Sequence, residues 1–112
     1  TEIKYFKLLT QEYPTLNLVF TGDFNCSQSH SVFDPLKKMS FPPILKNQKT
    51  SLKTKPKGTE YLASEYDNMF YKTSSINYLK SDVILFYKKF ISLKEARKIS
   101  DHLPIWFEFS LN

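Results

Sequence analysis

Hydrophobic residues recur along the chain in two patterns, one typical of helices and one typical of strands. From residue 2 to residue 13 they have the spacing of an amphipathic helix, which Pro14 ends because proline cannot continue a helix. The apolar side of this predicted helix carries Tyr5, Phe6, Leu8, Leu9 and Tyr13. The run from Leu16 to Phe20 then predicts a short buried strand. A polar cluster follows it directly, where layered α/β folds often build a site.

Two further short helices are predicted from their capping residues. Asp34 followed by Pro35 indicates an N-cap and a first helical position, with the helix itself over residues 36–39. Ser92 and Glu95 have the spacing of a capping box, which predicts that another short helix begins there.

Three more apolar segments predict strands, at residues 66–71, 83–86 and 103–109. The last of them alternates, with Leu103, Ile105, Phe107 and Phe109 on one face and Trp106 and Glu108 on the other. Because short helices and short strands share one chain, the fold class predicted is α/β.

Residues 46–58 are polar and strongly basic, and they predict a loop whose first residues could extend a strand from Ile44. The lysines of this stretch are Lys46, Lys49, Lys53, Lys55 and Lys57. They either contact the phosphate backbone of a nucleic acid or belong to a mobile, solvated loop. Under the first interpretation Lys49, Lys53 and Lys55 are candidate substrate-binding residues.

The formal net charge of +5 gives only partial information about the partner of the chain. A basic surface favours a polyanionic partner, either nucleic acid or an anionic membrane. Arg97 is the only arginine, however, and a chain rich in lysine can also reflect the base composition of its genome.

Cys26 is the only cysteine, which excludes a disulfide within the chain and a zinc site built from cysteines. No stretch is apolar enough over a sufficient length to predict a membrane span. The first residues have no signal-peptide pattern, and the sequence does not indicate where the protein acts.

Three polar clusters stand at the edges of predicted strands and carry the candidate chemistry. They are residues 22–25, 66–68 and 100–102, with the sequences Gly-Asp-Phe-Asn, Tyr-Asp-Asn and Ser-Asp-His. Their carboxylates suit a hard divalent cation, and an imidazole beside a carboxylate is a common general acid or base. If the chain folds so that they meet, the set suits metal-assisted hydrolysis of a phosphate ester.

The same clusters resemble motifs of the endonuclease/exonuclease/phosphatase superfamily, the deoxyribonuclease I kind. Gly22–Asn25 after an apolar strand, Tyr66–Phe70, and Ser100–Ile105 before the last strand match it in order and spacing. The resemblance implies that residues 1–112 form the C-terminal half of a two-sheet α/β sandwich, with mixed or antiparallel strands and short helices. The family's first half supplies a metal-binding Glu and a second catalytic His, which nothing here matches. His30, the other histidine, lies in a serine-rich loop and is expected to be solvated.

The resemblance also implies a role for each matched residue. Asp23 resembles the Asp that binds the metal or orients the attacking water, and Asn25 the Asn that hydrogen-bonds the phosphate or that water. Asp101 resembles a carboxylate near the metal. His102 resembles the His that contacts the scissile phosphate, and Asp67 the carboxylate that orients it. The metal implied is Mg²⁺, with Mn²⁺ or Ca²⁺ as alternatives. Without the resemblance, Asp23 and Asn25 could be turn residues, Asp67 could simply begin its strand, and His102 could be structural.

Within the superfamily, a tyrosine directly before the Asp, as at Tyr66 and Asp67 here, resembles the sequence of deoxyribonuclease I and its bacterial relatives. Abasic-site enzymes tend to have Arg-Leu-Asp or Arg-Ile-Asp at this place, and inositol phosphatases have Cys-Asp-Arg. The prediction is therefore a nuclease, with DNA as the partner. A phosphatase or phosphodiesterase acting on a lipid or small molecule, and a non-catalytic half-domain, are the alternatives.

Two expectations follow from the half-domain interpretation. Residues 1–112 alone should be inactive, because metal ligands are missing. Half of a sandwich should also expose an apolar face or a sheet edge, which predicts that the piece associates with itself or with another chain.

Overall fold

The fold is a small mixed α/β domain with short helices and antiparallel strand pairs. The computed structural model describes residues 2–112, and of these all side chains except those of Glu2 and Lys4. The α-helices are α1 (Phe6–Glu12), α2 (Asp34–Lys38) and α3 (Leu93–Arg97), with 3₁₀ turns at Glu2–Tyr5, Ser31–Phe33 and Phe86–Lys89. The strands are β1 (Val19–Asp23), β2 (Leu52–Lys57), β3 (Glu60–Leu62), β4 (Asp67–Tyr71), β5 (Ile76–Val83) and β6 (Ile105–Leu111). Within the described range, every helix is too short or too polar to cross a bilayer.

The first strand pair, β1 with β4, holds two of the candidate carboxylates. Asp23 and Asp67 are directly opposite each other in its register. The other edge of β4 pairs with an irregular segment, because Ile44 donates its backbone N–H to the carbonyl of Met69 at 2.9 Å. The candidate residues therefore stand at one end of a short sheet.

A second unit, made of β2, β3 and the residues just before β2, brings His102 to the same end of the β1–β4 sheet. β2 and β3 form a hairpin whose turn contains Gly58 in the left-handed region, at φ +63°. Just before β2, the backbone of Thr50 accepts a hydrogen bond from Leu103 at 2.7 Å, and Leu52 donates one to Asp101 at 2.8 Å. This pairing sets His102 directly opposite Ser51.

The third pair, β5 with β6, is joined to the first by packing of aromatic rings. The ring centroids of Tyr71 on β4 and Phe107 on β6 lie 5.1 Å apart, and Tyr78 stacks on both rings. The hydroxyl of Ser81 also donates to the carbonyl of Ile44 at 2.8 Å. The β5–β6 pair thus covers one side of β4 but leaves much of its own apolar surface in solvent.

Two hydrophobic clusters form the core, one on each side of the candidate site. The first packs α1, α2 and the β1–β4 pair around Ile3, Phe20, Phe33, Leu36, Phe41 and Phe70. The second packs β2, α3 and the segment just before β6 around Leu52, Leu93, Ala96 and Leu103. Phe20 and Phe70 lie opposite each other on β1 and β4, so the first cluster fixes the sheet that holds the two carboxylates.

The predicted elements are partly confirmed. A helix over most of residues 2–13, strands at 66–71 and 103–109, and a helix begun by Ser92 all occur close to their predicted bounds. The Ser92 hydroxyl accepts from the backbone of Glu95 at 3.2 Å, as the capping box predicts. The strand predicted for 16–20 begins later, at Val19, and runs through Gly22 and Asp23.

Other predictions about the elements are wrong. The basic stretch is not mainly a loop, because residues 52–57 form β2 and pair with β3. The apolar run 83–86 is a strand only at Val83, and Ile84 and Leu85 have no regular secondary structure, while the more polar residues 76–83 form β5. Asp34 is not an N-cap, since a 3₁₀ turn capped by the His30 imidazole runs directly into α2.

The prediction that one apolar side of α1 is buried is also wrong for most of its residues. Phe6 packs against the first cluster, together with Ile3 of the preceding turn. Leu8, Leu9 and Tyr13 are exposed, so the apolar stripe of the helix is wider than the surface that it covers.

A buried amide connects β4 to the loop beside it. The Asn68 side chain is 2% exposed, accepts from the backbone N–H of Leu45 at 3.1 Å, and donates to the Leu45 carbonyl at 3.0 Å. Asn68, which stands in one of the three polar clusters, is therefore a structural residue.

We expect Asn68→Ala to lower the free energy of unfolding by about 2–4 kcal/mol, because it leaves two buried backbone groups of Leu45 without partners. Urea denaturation monitored by circular dichroism measures this loss. Asn77→Ala is the matched control, since its amide is exposed and makes only a long bond of 3.4 Å to Ser110. A loss of less than about 0.5 kcal/mol in both variants contradicts the structural role of Asn68.

Exposed apolar residues on α1 and on the β5–β6 pair lead to a second prediction. Leu8 is 55% exposed, and Leu79 and Leu111 are 52% and 57% exposed. We expect residues 1–112 to self-associate at micromolar concentration, because isolated apolar faces of this kind are buried when a partner is present. Sedimentation velocity measures it, and Leu8→Gln with Leu111→Gln should weaken the association. A sharp monomer boundary for the unmodified chain contradicts the prediction.

Candidate active site

Asp23, Asp67 and His102 come together from three distant stretches of the chain. Each offers a ligand atom, and these atoms all lie within 4.8 Å of one another. Asp23 ends β1, Asp67 begins β4, and His102 is held beside Ser51 just before β6. The sequence clusters around residues 22–25, 66–68 and 100–102 therefore meet in the folded chain.

The imidazole of His102 is fixed by a carboxylate. Its Nδ1 lies 2.7 Å from Oδ2 of Asp67, a short distance typical of a hydrogen bond with a charged partner. When Nδ1 donates to Asp67, the opposite nitrogen, Nε2, is left for other partners. Asp67 therefore selects both the orientation and the tautomer of the ring.

Thr50 in turn holds Asp67. The Thr50 hydroxyl donates to Oδ2 of Asp67 at 2.6 Å and accepts from the backbone N–H of the same residue at 3.0 Å. Thr50 is fully buried, and its carbonyl accepts from Leu103, the neighbour of His102. One residue thus ties the carboxylate and the imidazole into a single rigid unit.

Asp23 stands on the open side of the imidazole. Its Oδ2 is 3.6 Å from Nε2 of His102, which is longer than a direct hydrogen bond. Its Oδ1 accepts from the backbone N–H of Asn25 at 3.0 Å. The Asp23 side chain is 38% exposed, compared with 15% for Asp67, so Asp23 is the carboxylate that solvent and ligands reach.

The charges around the imidazole favour its protonated form. The hydrogen bond to Asp67 is the largest cause that raises the pKa of His102, and the negative charges of Asp67, Asp23 and Asp101 add to it. Partial burial opposes the shift but is outweighed. His102 therefore gives up its proton at a higher pH than an ordinary histidine, and it can serve as an acid or as a base near neutral pH.

The donors present fit a divalent cation such as Mg²⁺. This ion is commonly bound through one or two carboxylates, with waters and substrate phosphates completing its shell. Oδ2 of Asp67 already accepts two hydrogen bonds, whereas Oδ2 of Asp23 faces solvent. Asp23 is therefore the principal candidate ligand on this chain.

Asp101 and Asn25 lie beside the group without joining it. Asp101 is exposed and is not one of the three residues whose ligand atoms cluster. It contributes to the field that raises the pKa of His102. Asn25 has a left-handed backbone at φ 53°, which asparagine tolerates, and its side chain is exposed. Both residues stand at the rim, where a substrate or a hydrated ion can reach them.

The three candidate lysines lie on or beside the β2–β3 hairpin. Lys49 forms an exposed ion pair with Glu60 at 3.6 Å, and Lys53 and Lys55 stand on β2. In the described part of the chain, none of them is hydrogen-bonded or ion-paired to the three clustered residues. The lysines therefore lie apart from the three clustered residues, and strand pairing orders the backbone of Lys53 and Lys55.

Sequence reasoning missed two residues that support the site, Thr50 and Gln28. The Gln28 side chain is 4% exposed, donates to the carbonyl of Asp67 at 3.3 Å, and exchanges hydrogen bonds with the backbone of Gln48. Neither residue belongs to a recognisable pattern, because each acts through contacts that exist only after folding. His30 was expected to be solvated, and it is exposed.

Comparisons of the chain with protein-family models, with curated proteins and with solved structures found no match.

We expect Asp67→Asn to lower the pKa of His102 towards the ordinary value of about 6.5, because it removes the largest cause of the upward shift. Titration of the imidazole Cε1–H signal by NMR measures the pKa directly. Asp34→Asn, which removes a charge on α2, is the matched control and should leave the titration unchanged. Equal pKa values for His102 in the unmodified protein and in Asp67→Asn contradict the assignment.

The same shift has a consequence for stability. A histidine whose pKa is higher in the folded state stabilises the fold fully below its unfolded pKa, and this contribution is lost as the pH rises through the folded pKa. The difference in unfolding free energy between the unmodified protein and His102→Gln should therefore shrink as the pH rises above about 6.5.

Proposed function

We propose that this chain carries catalytic residues of a divalent-metal-dependent phosphodiesterase that cuts nucleic acid, most specifically DNA. The observation that supports it best is the hydrogen-bonded pair of His102 and Asp67, with the Asp23 carboxylate 3.6 Å from the free nitrogen of the ring. An oriented imidazole next to a carboxylate that can bind a cation is a suitable set of groups for phosphate-ester hydrolysis.

In this proposal His102 moves protons at its Nε2 atom. With Nδ1 held by Asp67, a neutral ring has its lone pair at Nε2 and can take a proton from water. The protonated ring can instead donate that proton to the departing oxygen. Asp67 is a positioning residue, since it acts through the imidazole.

Asp23 has two roles in the proposal, one as a metal ligand and one as a partner of water. When bound, Mg²⁺ would polarise the phosphoryl oxygen and offset the negative charge that develops there. Asp101, at the rim, is a second carboxylate that can reach the hydration shell of such an ion, and Asn25 can hydrogen-bond a phosphate oxygen. Mn²⁺ and Ca²⁺ also accept oxygen ligands of this kind.

The charge of the chain supports a polyanionic substrate. Its formal net charge is +5, and the lysines of the β2–β3 hairpin, among them Lys49, Lys53 and Lys55, lie on exposed or half-exposed surface. Lysines in such positions neutralise backbone phosphates without reading sequence. A long nucleic acid uses a surface of this kind better than a small headgroup does.

The proposal includes membership of the deoxyribonuclease I-like endonuclease/exonuclease/phosphatase superfamily, with residues 1–112 as the C-terminal half of its two-sheet sandwich. Its support is the order of the three polar clusters along the chain. The antiparallel strand pairs and short helices are compatible with it.

We expect the full-length protein to nick supercoiled plasmid DNA in the presence of Mg²⁺, and His102→Ala to lower the rate by roughly 10²–10⁴-fold, since it removes the acid–base group. Agarose gel electrophoresis of the plasmid measures the nicking rate. His30→Ala is the matched control, because His30 is exposed and caps a turn in the serine-rich loop. Residues 1–112 alone should show no turnover, because the described residues bring only two carboxylates and one imidazole together.

Two results count against this function. One is metal-dependent hydrolysis of a lipid or small-molecule phosphate with no DNA cleavage at low salt, which would support a phosphatase or small-molecule phosphodiesterase. The other is nicking that is equally fast in His102→Ala and in the unmodified protein.

A further inference from the structure

A groove lies between the β2–β3 hairpin and the segment that leads into α3. Its cavity has a volume of about 660 Å³. The residues that line it include Lys55, Pro56, Tyr61, Ile91, Lys94 and Arg97, and none of the three residues of the candidate active site does so. The groove is therefore a separate surface feature.

The groove is positively charged. Lys55, Lys94 and Arg97 line it, and no lining residue is acidic. The Arg97 guanidinium is held by two backbone carbonyls, since Nη1 donates to Leu52 at 2.8 Å and to Lys53 at 3.4 Å. In the part of the chain that the structure describes, the remaining nitrogens of Arg97 have no hydrogen-bond partner. An anion can bind these nitrogens and the two ammonium groups without displacing a protein carboxylate.

An aromatic ring stands in the same groove. Tyr61 is 36% exposed, and its ring packs against Tyr87 with the centroids 5.6 Å apart. Tyr87 lines a neighbouring cavity and not this one, so it packs against the Tyr61 ring from that side. A neighbouring cavity of about 430 Å³ also contains Tyr61 and Ile91 and adds Lys88, which lengthens the groove.

We propose that this groove binds a single-stranded segment of nucleic acid, with a base against Tyr61 and the adjoining phosphates at Lys55, Lys94 and Arg97. Proteins that hold single strands combine aromatic rings with a basic groove in this way. A base within a duplex is stacked between its neighbours, so only an unpaired base can reach a ring inside a groove. The identity of the polymer rests on the function proposed above, but binding here is independent of cleavage.

A membrane surface suits the groove less well. Peripheral proteins insert apolar side chains that project from the surface, with cationic groups around them. Ile91 projects, but Tyr61 and Leu93 line the concave part of the groove together with the cations. The mixture of an aromatic ring and cations inside a cavity therefore favours a nucleotide strand.

The experiment measures fluorescence anisotropy of a labelled oligothymidylate of about ten nucleotides, in EDTA and at low salt. The full-length protein should bind it, and Lys55→Gln with Lys94→Gln should weaken binding by about tenfold or more. The slope of log affinity against log salt should fall by about 1.4, as expected when two phosphate contacts are lost. Lys7→Gln with Lys38→Gln is the matched control, because it removes the same charge from exposed positions on α1 and α2 and should have a much smaller effect.

A second variant separates stacking from charge. Tyr61→Leu keeps an apolar side chain but removes the ring, and it should weaken binding of the oligothymidylate by about tenfold. Binding of a duplex of the same length should be nearly unchanged. Circular dichroism and thermal melting establish that each variant is folded before its binding is compared.

Several results overturn the proposal. Equal losses for the groove variant and the control variant would mean that only net charge matters. Equal effects of Tyr61→Leu on single strands and duplexes would exclude stacking of an unpaired base. Binding to phosphatidylserine vesicles that is lost in the groove variants, while oligothymidylate binding is unaffected, would assign the groove to a membrane. Strand binding in EDTA together with no nicking of plasmid DNA in Mg²⁺ would refute the proposed function and leave this inference standing.

Discussion

The structure of the candidate site depends on the hydrogen bonds of one buried threonine. The hydroxyl of Thr50 holds Asp67 on the sheet of the first hydrophobic cluster, and its carbonyl holds Leu103 in the second. These bonds set the distance between Asp67 and His102, which no local element of secondary structure controls. If Thr50 shifted, the short contact between the Asp67 carboxylate and the His102 imidazole would be lost although the three strand pairs could still form. The two core clusters and the site are therefore parts of one arrangement.

The electrostatics of the site impose a second constraint. Asp23 and Asp67 are opposite each other in an antiparallel pair, where two like charges destabilise the sheet. The imidazole lies next to both carboxylates, and its raised pKa reflects the attraction that compensates for their repulsion. A cation at Asp23 would compensate for it in the same way.

Features encoded by neighbouring residues could be predicted from the sequence, and features that depend on tertiary contacts could not. The capping box at Ser92 and the strand that begins at Asp67 follow from local pattern. The convergence of Asp23, Asp67 and His102 was predicted from three motifs in order, although none of them contains distance information.

β2 was predicted to be a loop because lysines occupy its exposed positions, and only Leu52 on it is fully buried. The run 83–86 has strand composition, but the strand ends at Val83, and Leu85 and Phe86 pack onto the second cluster from the irregular segment and the 3₁₀ turn that follow. Thr50 could not be identified because its partners are 17 and 53 residues away in the sequence.

The distribution of charge connects the proposed binding of nucleic acid at the basic surface with the proposed chemistry at His102. The basic residues lie mainly on the surface, while carboxylates surround His102. A phosphodiester attracted by the lysines of the hairpin would meet negative potential at Asp23, so it could approach the imidazole only if a cation or the protonated ring were there. The same carboxylates would bind such a cation. In the proposed function, attraction at the surface and repulsion at the site would then be complementary, because a phosphate would be admitted only when the charge needed to activate it is present.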